Sequence, residues 1–202
     1  MRTPWVVGVS GASGTPYAAA VLRALAAAGE AVDLVVSRAA RLTLLDETGV
    51  AWHDDPESLL AWAGVSGDVR CWGAGDLAAG PSSGSYPTRG MVVVPASTAA
   101  VAGIATGLSK DLLQRAADVT LKERRPLVVV PRETPVGRST LLQLLALHDA
   151  GAVVLPASPG FYGGAKDVQE LVDFVAGKVL DVLGVEHDLL TRWTGELGAG
   201  RA

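Results

Sequence analysis

The sequence predicts a three-layer α/β domain in which helices cover both faces of one doubly wound parallel sheet. Three features predict it: short valine-rich runs recur along the chain, segments with helical spacing lie between them, and several of those segments stop at a glycine. Parallel strands covered on both faces read as short continuous apolar runs rather than alternating ones. A glycine just past the last turn ends a helix readily, because it enters the left-handed region without a Cβ clash.

In chain order, residues 5–10 form the first strand, and the alanine-rich residues 15–28 form a helix stopping at Gly29. Residues 31–37 form the second strand. From Trp52 to Arg89 the pattern weakens, as Trp52, Trp62 and Trp72 mix with a Gly/Pro/Ser-rich run at 79–87. That stretch reads as one short helix, one short strand and a functional loop. Strands follow at 91–95, 127–131 and 152–155. Helical spacing covers 98–107, 111–125, 139–150 before Gly151, and 167–183 before Gly184, with a last amphipathic piece at 188–193. Strand–helix alternation of this kind gives right-handed crossovers and a single αβα domain of Rossmann/flavodoxin type over residues 1–185. Residues 186–202 are expected to form a tail that contributes to subunit contacts and to the active site.

Composition narrows the function. A chain of 202 residues, 49% hydrophobic and 19% charged, is too apolar to be disordered and suits one packed domain. With 17 basic against 21 acidic residues the net charge is −4, so no cationic field draws it to nucleic acid or to an anionic membrane. Cys71 stands alone, and His53, His148 and His187 are far apart, so no metal-ligating spacing is present and no metal is expected. The N-terminus has no signal-like apolar stretch, and no run of about 18 apolar residues occurs, which leads us to expect a soluble, cytoplasmic protein. A mean hydropathy of +0.32 implies apolar surface buried between subunits, hence a homo-oligomer.

In an open parallel sheet, ligands bind beyond the carboxyl ends of the strands. The first strand runs into Ser10-Gly11-Ala12-Ser13-Gly14, whose glycines allow a tight turn and whose following amides can hold a phosphate. The other strand ends carry Ser37, Ser97 with Thr98, Arg132 with Glu133, and the run from Pro156 to Tyr162. Each has a purely structural alternative: the serines as helix caps, Lys122, Arg124 and Arg125 as complements to a helix dipole, and Arg132 with Glu133 as a surface ion pair. The first turn is neither G-x-G-x-x-G, a Walker loop nor a nucleophile elbow. Convergence of polar strand ends on one rim favours a ligand site.

These residues resemble the UbiX-type flavin prenyltransferases of the flavin-dependent cysteine decarboxylase-like superfamily. The likeness follows family order: GASG at 11–14, SRAA at 37–40, DETG at 46–49, SSGS at 82–85, PAST at 95–98, a long block at 115–135, GFY at 160–162, LVDFVAGKVLDVLG at 171–184 and RW at 192–193. The resemblance implies a homo-oligomer, expected to be a dodecamer, that joins dimethylallyl monophosphate to reduced FMN without metal. The product, prenylated FMN, serves UbiD-type decarboxylases. FMN contacts carried over by motif are Ala12, Ser13, Gly14, Ser37, Ser97, Thr98, Ala99, Ala100 and Arg132. The prenyl phosphate falls to Tyr162, Lys178, Lys122, Ser85 and Trp193, some supplied by neighbouring subunits. Glu133 is the implied acid–base group on the phosphate side and Glu47 the one near flavin C6, with Ser13, Lys122 and Tyr162 completing the catalytic set.

The chemistry is consistent with that assignment. Loss of phosphate from an allylic carbon creates a delocalised cation and a departing anion, which fixed positive charge and a π-rich wall both favour. Three departures from the family pattern stand out: Lys178 where arginine is common, Ala96 where a cysteine is often found, and Leu77 where some members carry tryptophan. The alternatives are a flavin-dependent cysteine decarboxylase-like enzyme and an FMN carrier without turnover. The first needs a histidine and an asparagine that the stretches 37–41 and 95–99 lack.

Overall fold

Strands β1 (Trp5–Val9), β2 (Val32–Val36) and β4 (Gly90–Ala96) are buried along their whole length, which is why their sequences run apolar without alternating. With β3 (Val69–Trp72), β5 (Leu127–Pro131) and β6 (Val153–Val154) they form one six-stranded parallel sheet in the order β3-β2-β1-β4-β5-β6. The computed structural model describes residues 2–193 and Gly195.

The two faces pack against different helices. Val7, Val9, Val92, Val94, Val128 and Val130 join one core with α1 (Thr15–Ala27), α2 (Arg38–Thr48), α3 (Pro56–Ala63) and α7 (Val168–Leu183). Their sequence neighbours Val6, Met91, Val93, Leu127 and Val129 join the other, with α4 (Thr98–Ala105), α5 (Leu112–Lys122) and α6 (Arg138–Asp149). Strand order reverses between β1 and β4, so the loops after these two strands diverge and leave a crevice at the carboxyl edge.

Three expectations need correction. The strand–helix reading leaves residues 38–48 unassigned, yet α2 lies there, started by Ser37 and ended by Gly49 at φ 73. Only Ala40 and Leu44 of α2 are buried, so its sequence is too polar to show a helical stripe. Helix α5 ends at Lys122, and Arg124 (φ 54) and Arg125 lie beyond it. Residues 188–193 form no helix. Their apolar side chains serve packing instead: Leu189 lies against the core, and a Cβ on Gly177 of α7 would meet Leu190 at 2.7 Å and His187 at 2.9 Å. The expected tail over 186–202 lies outside the described residues at 194 and 196–202.

Helix α6 buries only Leu147 and leaves Leu141, Leu142 and Leu145 exposed; α2 likewise exposes Leu42 and Leu45. This is the surplus apolar surface that the mean hydropathy anticipates.

Candidate active site

One buried hydroxyl fastens the two loops at the base of the crevice. Ser10, at the end of β1, donates to the Pro95 carbonyl (2.8 Å) and accepts from the Ser97 amide (2.6 Å), tying the β1 loop to the β4 loop. The Ser37 amide donates to the Val9 carbonyl (2.9 Å), which brings the end of β2 onto the same rim. Gly11 is required by close approach, since a Cβ there would land 2.5 Å from that of Ala39 in the first turn of α2.

Three helices begin at this rim. Gly14 precedes α1 with φ 115 and offers no side-chain cap. Glu47 of α2 supplies one: its carboxylate accepts from the amides of Gly14 and Thr15 (both 2.9 Å) and from the Thr15 hydroxyl (2.6 Å). Its partial burial raises the pKa, but the bonds from Thr15, Ser13 and the two amides outweigh that and hold Glu47 below the usual carboxylate range. The amides that the sequence offers to a phosphate are therefore already taken by Glu47. Glu47→Gln is expected to lower stability at pH 7 by on the order of 1 kcal/mol, the scale of a lost helix cap. A depressed pKa stabilises above the unfolded-state value and is lost as pH falls through the folded one. The gap between variant and wild type in urea denaturation should accordingly narrow at acid pH.

At α2 and α4 the capping alternative is realised. Ser37 accepts from the Ala40 amide and Ser97 from the Ala100 amide, each at 3.2 Å. A capping hydroxyl keeps its own O–H, so both serines can still donate to an anion. Ala12 and Ala100 are buried and Ala99 is exposed, and all three can offer a ligand only backbone and methyl contact. Arg132 is not paired with Glu133. Its Nε donates to the Ser13 carbonyl (2.9 Å), while the Glu133 carboxylate accepts from the Thr134 amide (3.0 Å) and is exposed. Beside them a cavity of about 390 Å³ opens at the ends of β4, β5 and β6, lined by Thr98, Arg132, Glu133, Pro156 and Ser158 among others.

A second group lies on the α7 side. Tyr162, half exposed, meets Phe174 edge-on at 5.6 Å between ring centroids and Trp193 at 6.2 Å. One turn along α7 from Phe174, Lys178 donates to Asp181 (3.1 Å), which also accepts from Arg192 (2.8 Å) and hydrogen-bonds His187 (3.2 Å). The Arg192 bond above all holds the Asp181 carboxyl far below its ordinary range, Lys178 and His187 adding to it against the effect of burial. The sequence assigns no site role to Asp181, Arg192 or His187, although Asp181 at i+3 from Lys178 on a helix is a readable signal.

Lys122 and Ser85 form a third group, at the opposite edge of the sheet. The loop carrying Ser85 leads into the start of β4, where the Arg89 amide meets Pro4 and the Met91 amide meets Pro126, just before β1 and β5. Lys122 closes α5 there, paired with Glu123 at 3.0 Å, and a Cβ on Gly84 would come 3.1 Å from its Nζ. A five-residue strand spans roughly 16 Å, which separates this edge from the rim. Lys122 and Ser85 also sit in the α4–α6 layer, across the sheet from α7. Among the described residues no hydrogen bond or ring contact joins them to Tyr162, Lys178 or Trp193.

Among the described residues no group of three His, Cys, Asp or Glu could hold a metal, and no helix is long and apolar enough to cross a membrane.

The profile of the Flavoprotein family matches residues 1–180. The chain is 67% identical over 213 aligned positions to the flavin prenyltransferase UbiX of Streptomyces coelicolor, covering 98% of each sequence. Among solved structures it is similar to AnUbiX (PadA1) in complex with FMN and dimethylallyl pyrophosphate, with a TM-score of 0.87, 38% identity and coverage of 98% of this chain and 100% of that one. It is also similar to a dodecameric FMN-dependent Ubix-like decarboxylase from Escherichia coli O157:H7, with a TM-score of 0.85, 39% identity and coverage of 96% and 100%.

Proposed function

The chain belongs to the flavin prenyltransferases UbiX within the Flavoprotein family, and from that premise we propose how its two sheet edges serve a prenyl transfer to FMN. The rim fits a flavin phosphate on its own chemistry. Thr98 and the Arg132 guanidinium line a cavity whose other walls are mostly apolar side chains such as Val101, Leu141 and Leu144, and Ser37 and Ser97 offer hydroxyl donors on the same rim. Ala12, Ser13, Gly14, Ala99 and Ala100 would complete the contact with FMN. When bound and reduced, FMN supplies the electron-rich N5 and C6 positions that the prenyl group joins.

In this reading the residues of the chain manage the leaving group and the protons. Lys122, Lys178 and Arg132 place fixed positive charge around the phosphate of dimethylallyl monophosphate, with Tyr162 and Ser85 as donors and Trp193 as a wall. Glu133, exposed and held among the described residues by the Thr134 amide, is placed in this reading to carry a proton to the departing phosphate. Glu47, bonded in its ionised form, suits a proton acceptor beside Ser13 better than a donor. Excluding water protects the allyl cation from hydrolysis. Prenylated FMN would then pass to a UbiD-type decarboxylase.

One observation carries the assembly: the residues read here as phosphate ligands fall in opposite layers of a single chain's sheet, Lys122 and Ser85 with α4–α6 and Lys178 on α7. A complete site therefore needs a second copy, which supports a homo-oligomer with a dodecamer as the proposed form. The decisive experiment is anaerobic incubation with reduced FMN and dimethylallyl monophosphate, with the pyrophosphate in parallel, followed by mass spectrometry of the flavin. One added prenyl group is expected. Unmodified flavin with both donors intact would overturn the reading.

A further inference from the structure

Asp33 is the one acid in the otherwise apolar β2, and it is 2% exposed. It shares its face of the sheet with Val35, so it points into the α4–α6 layer. Each carboxylate oxygen has one long-range donor: the Trp72 indole N–H at 2.8 Å and the Tyr86 hydroxyl at 2.9 Å. A buried carboxylate is costly, and an apolar residue would fill the position more cheaply. What the carboxylate achieves here is to fix Tyr86, at the far end of the Gly/Pro/Ser loop.

The rest of that loop is pinned in the same way. Arg125 donates to the carbonyls of Tyr86 (2.9 Å) and Gly84 (2.8 Å) and to the Thr88 hydroxyl (3.1 Å), and Arg115 donates to the Ser82 carbonyl (3.0 Å). Gly80 lies flat on the Tyr86 ring, where a Cβ would come within 2.7 Å. Every anchor falls on an even-numbered position. Ser82, Gly84, Tyr86 and Thr88 are half-buried, while Ser83 and Ser85 between them are exposed, with their hydroxyls 2.9 Å apart and the Lys122–Glu123 pair against the intervening Gly84. The loop, a 3-10 turn at Gly80–Ser82 followed by a turn closed from the Tyr86 amide to the Ser83 carbonyl (3.2 Å), is thus pinned so that it presents the Ser83 and Ser85 hydroxyls outward.

We propose that Asp33 and Tyr86, with Arg125, are positioning residues that hold Ser85 against Lys122 as the half of the prenyl-phosphate site this chain lends to an adjoining copy. The inference rests on the reading of Lys122 and Ser85 as phosphate ligands. Arg125 thereby gains a role beyond complementing the end of α5.

Tyr86→Phe in the full-length protein tests it, because only the hydroxyl that reaches Asp33 is lost. The KM for dimethylallyl monophosphate is expected to rise about tenfold with kcat changed far less. Calorimetric binding of the same compound to FMN-loaded protein should weaken by a similar factor, while FMN affinity by flavin fluorescence and the mass of the assembly stay as in wild type. Asp33→Asn, which keeps the shape and one acceptor, should show a smaller rise in KM and serves if Tyr86→Phe fails to fold. Unchanged donor affinity in whichever variant folds, or equal losses of donor and FMN affinity, would overturn the proposal. Lys122→Ala separates the two levels. If it weakens donor binding and Tyr86→Phe does not, the positioning role alone falls; if Lys122→Ala leaves donor binding unchanged, the half-site falls with it.

Discussion

Lys122→Ala and Lys178→Ala are each expected to lose prenyl transfer about 100-fold or more while keeping FMN, the scale of removing one preorganised electrostatic contact from a transition state. Co-assembled in equal amounts, the two inactive variants should recover about one quarter of wild-type activity. The reason is geometric. Lys122 stands at the amino edge of the sheet in the α4–α6 layer, whereas Lys178 stands on α7 across the sheet. If one site draws its first lysine from one copy and its second from another, random mixing leaves about a quarter of the sites with both intact. If both lysines came from the same chain, every site in the mixture would lack one and nothing would be restored. Co-expression with two affinity tags, followed by tandem purification and an anaerobic assay, reads the difference directly.

Glu133→Gln is expected to bind FMN and dimethylallyl monophosphate as wild type does and to slow prenylation about 10²–10⁴-fold, the usual contribution of a positioned acid. The substitution preserves shape and the acceptor for the Thr134 amide, so folding should be untouched. Arg132 is committed to the Ser13 carbonyl rather than to Glu133, so losing the carboxylate strands no buried partner. A protein that only carried FMN would be indifferent to the change. Single-turnover rates under anaerobic conditions, set beside flavin and donor affinities, separate the two.

The sheet was legible because burial on both faces writes itself into continuous apolar runs, and five of the six strands lie where valine clusters. The short β3, half-buried and at the sheet edge, lies in the stretch where only the existence of a strand could be read, not its position. Helix α2 escaped because its solvent face outweighs Ala40 and Leu44, although Ser37 before it and Gly49 after it were present as signals. The rim residues could be picked out because each ends a strand. Their partners could not. Glu47 reaches Gly14 across 33 positions and Tyr86 reaches Asp33 across 53, and contacts of that kind leave no local pattern. That Lys122 and Ser85 lie in one layer and Lys178 in the other was likewise invisible in a linear chain, since spacing along the sequence says nothing about which layer a helix joins.

Ser10 has a consequence for how ligands arrive. Because its hydroxyl links the carbonyl of Pro95 to the amide of Ser97, the two halves of the sheet are fastened together at the very point where they part. A flavin entering here would meet loops whose conformational freedom has already been surrendered during folding, so little ordering would remain to be done at the moment of capture. A tighter grip on a ligand in this crevice and a stiffer pair of loops would, in this fold, be two expressions of one hydroxyl group.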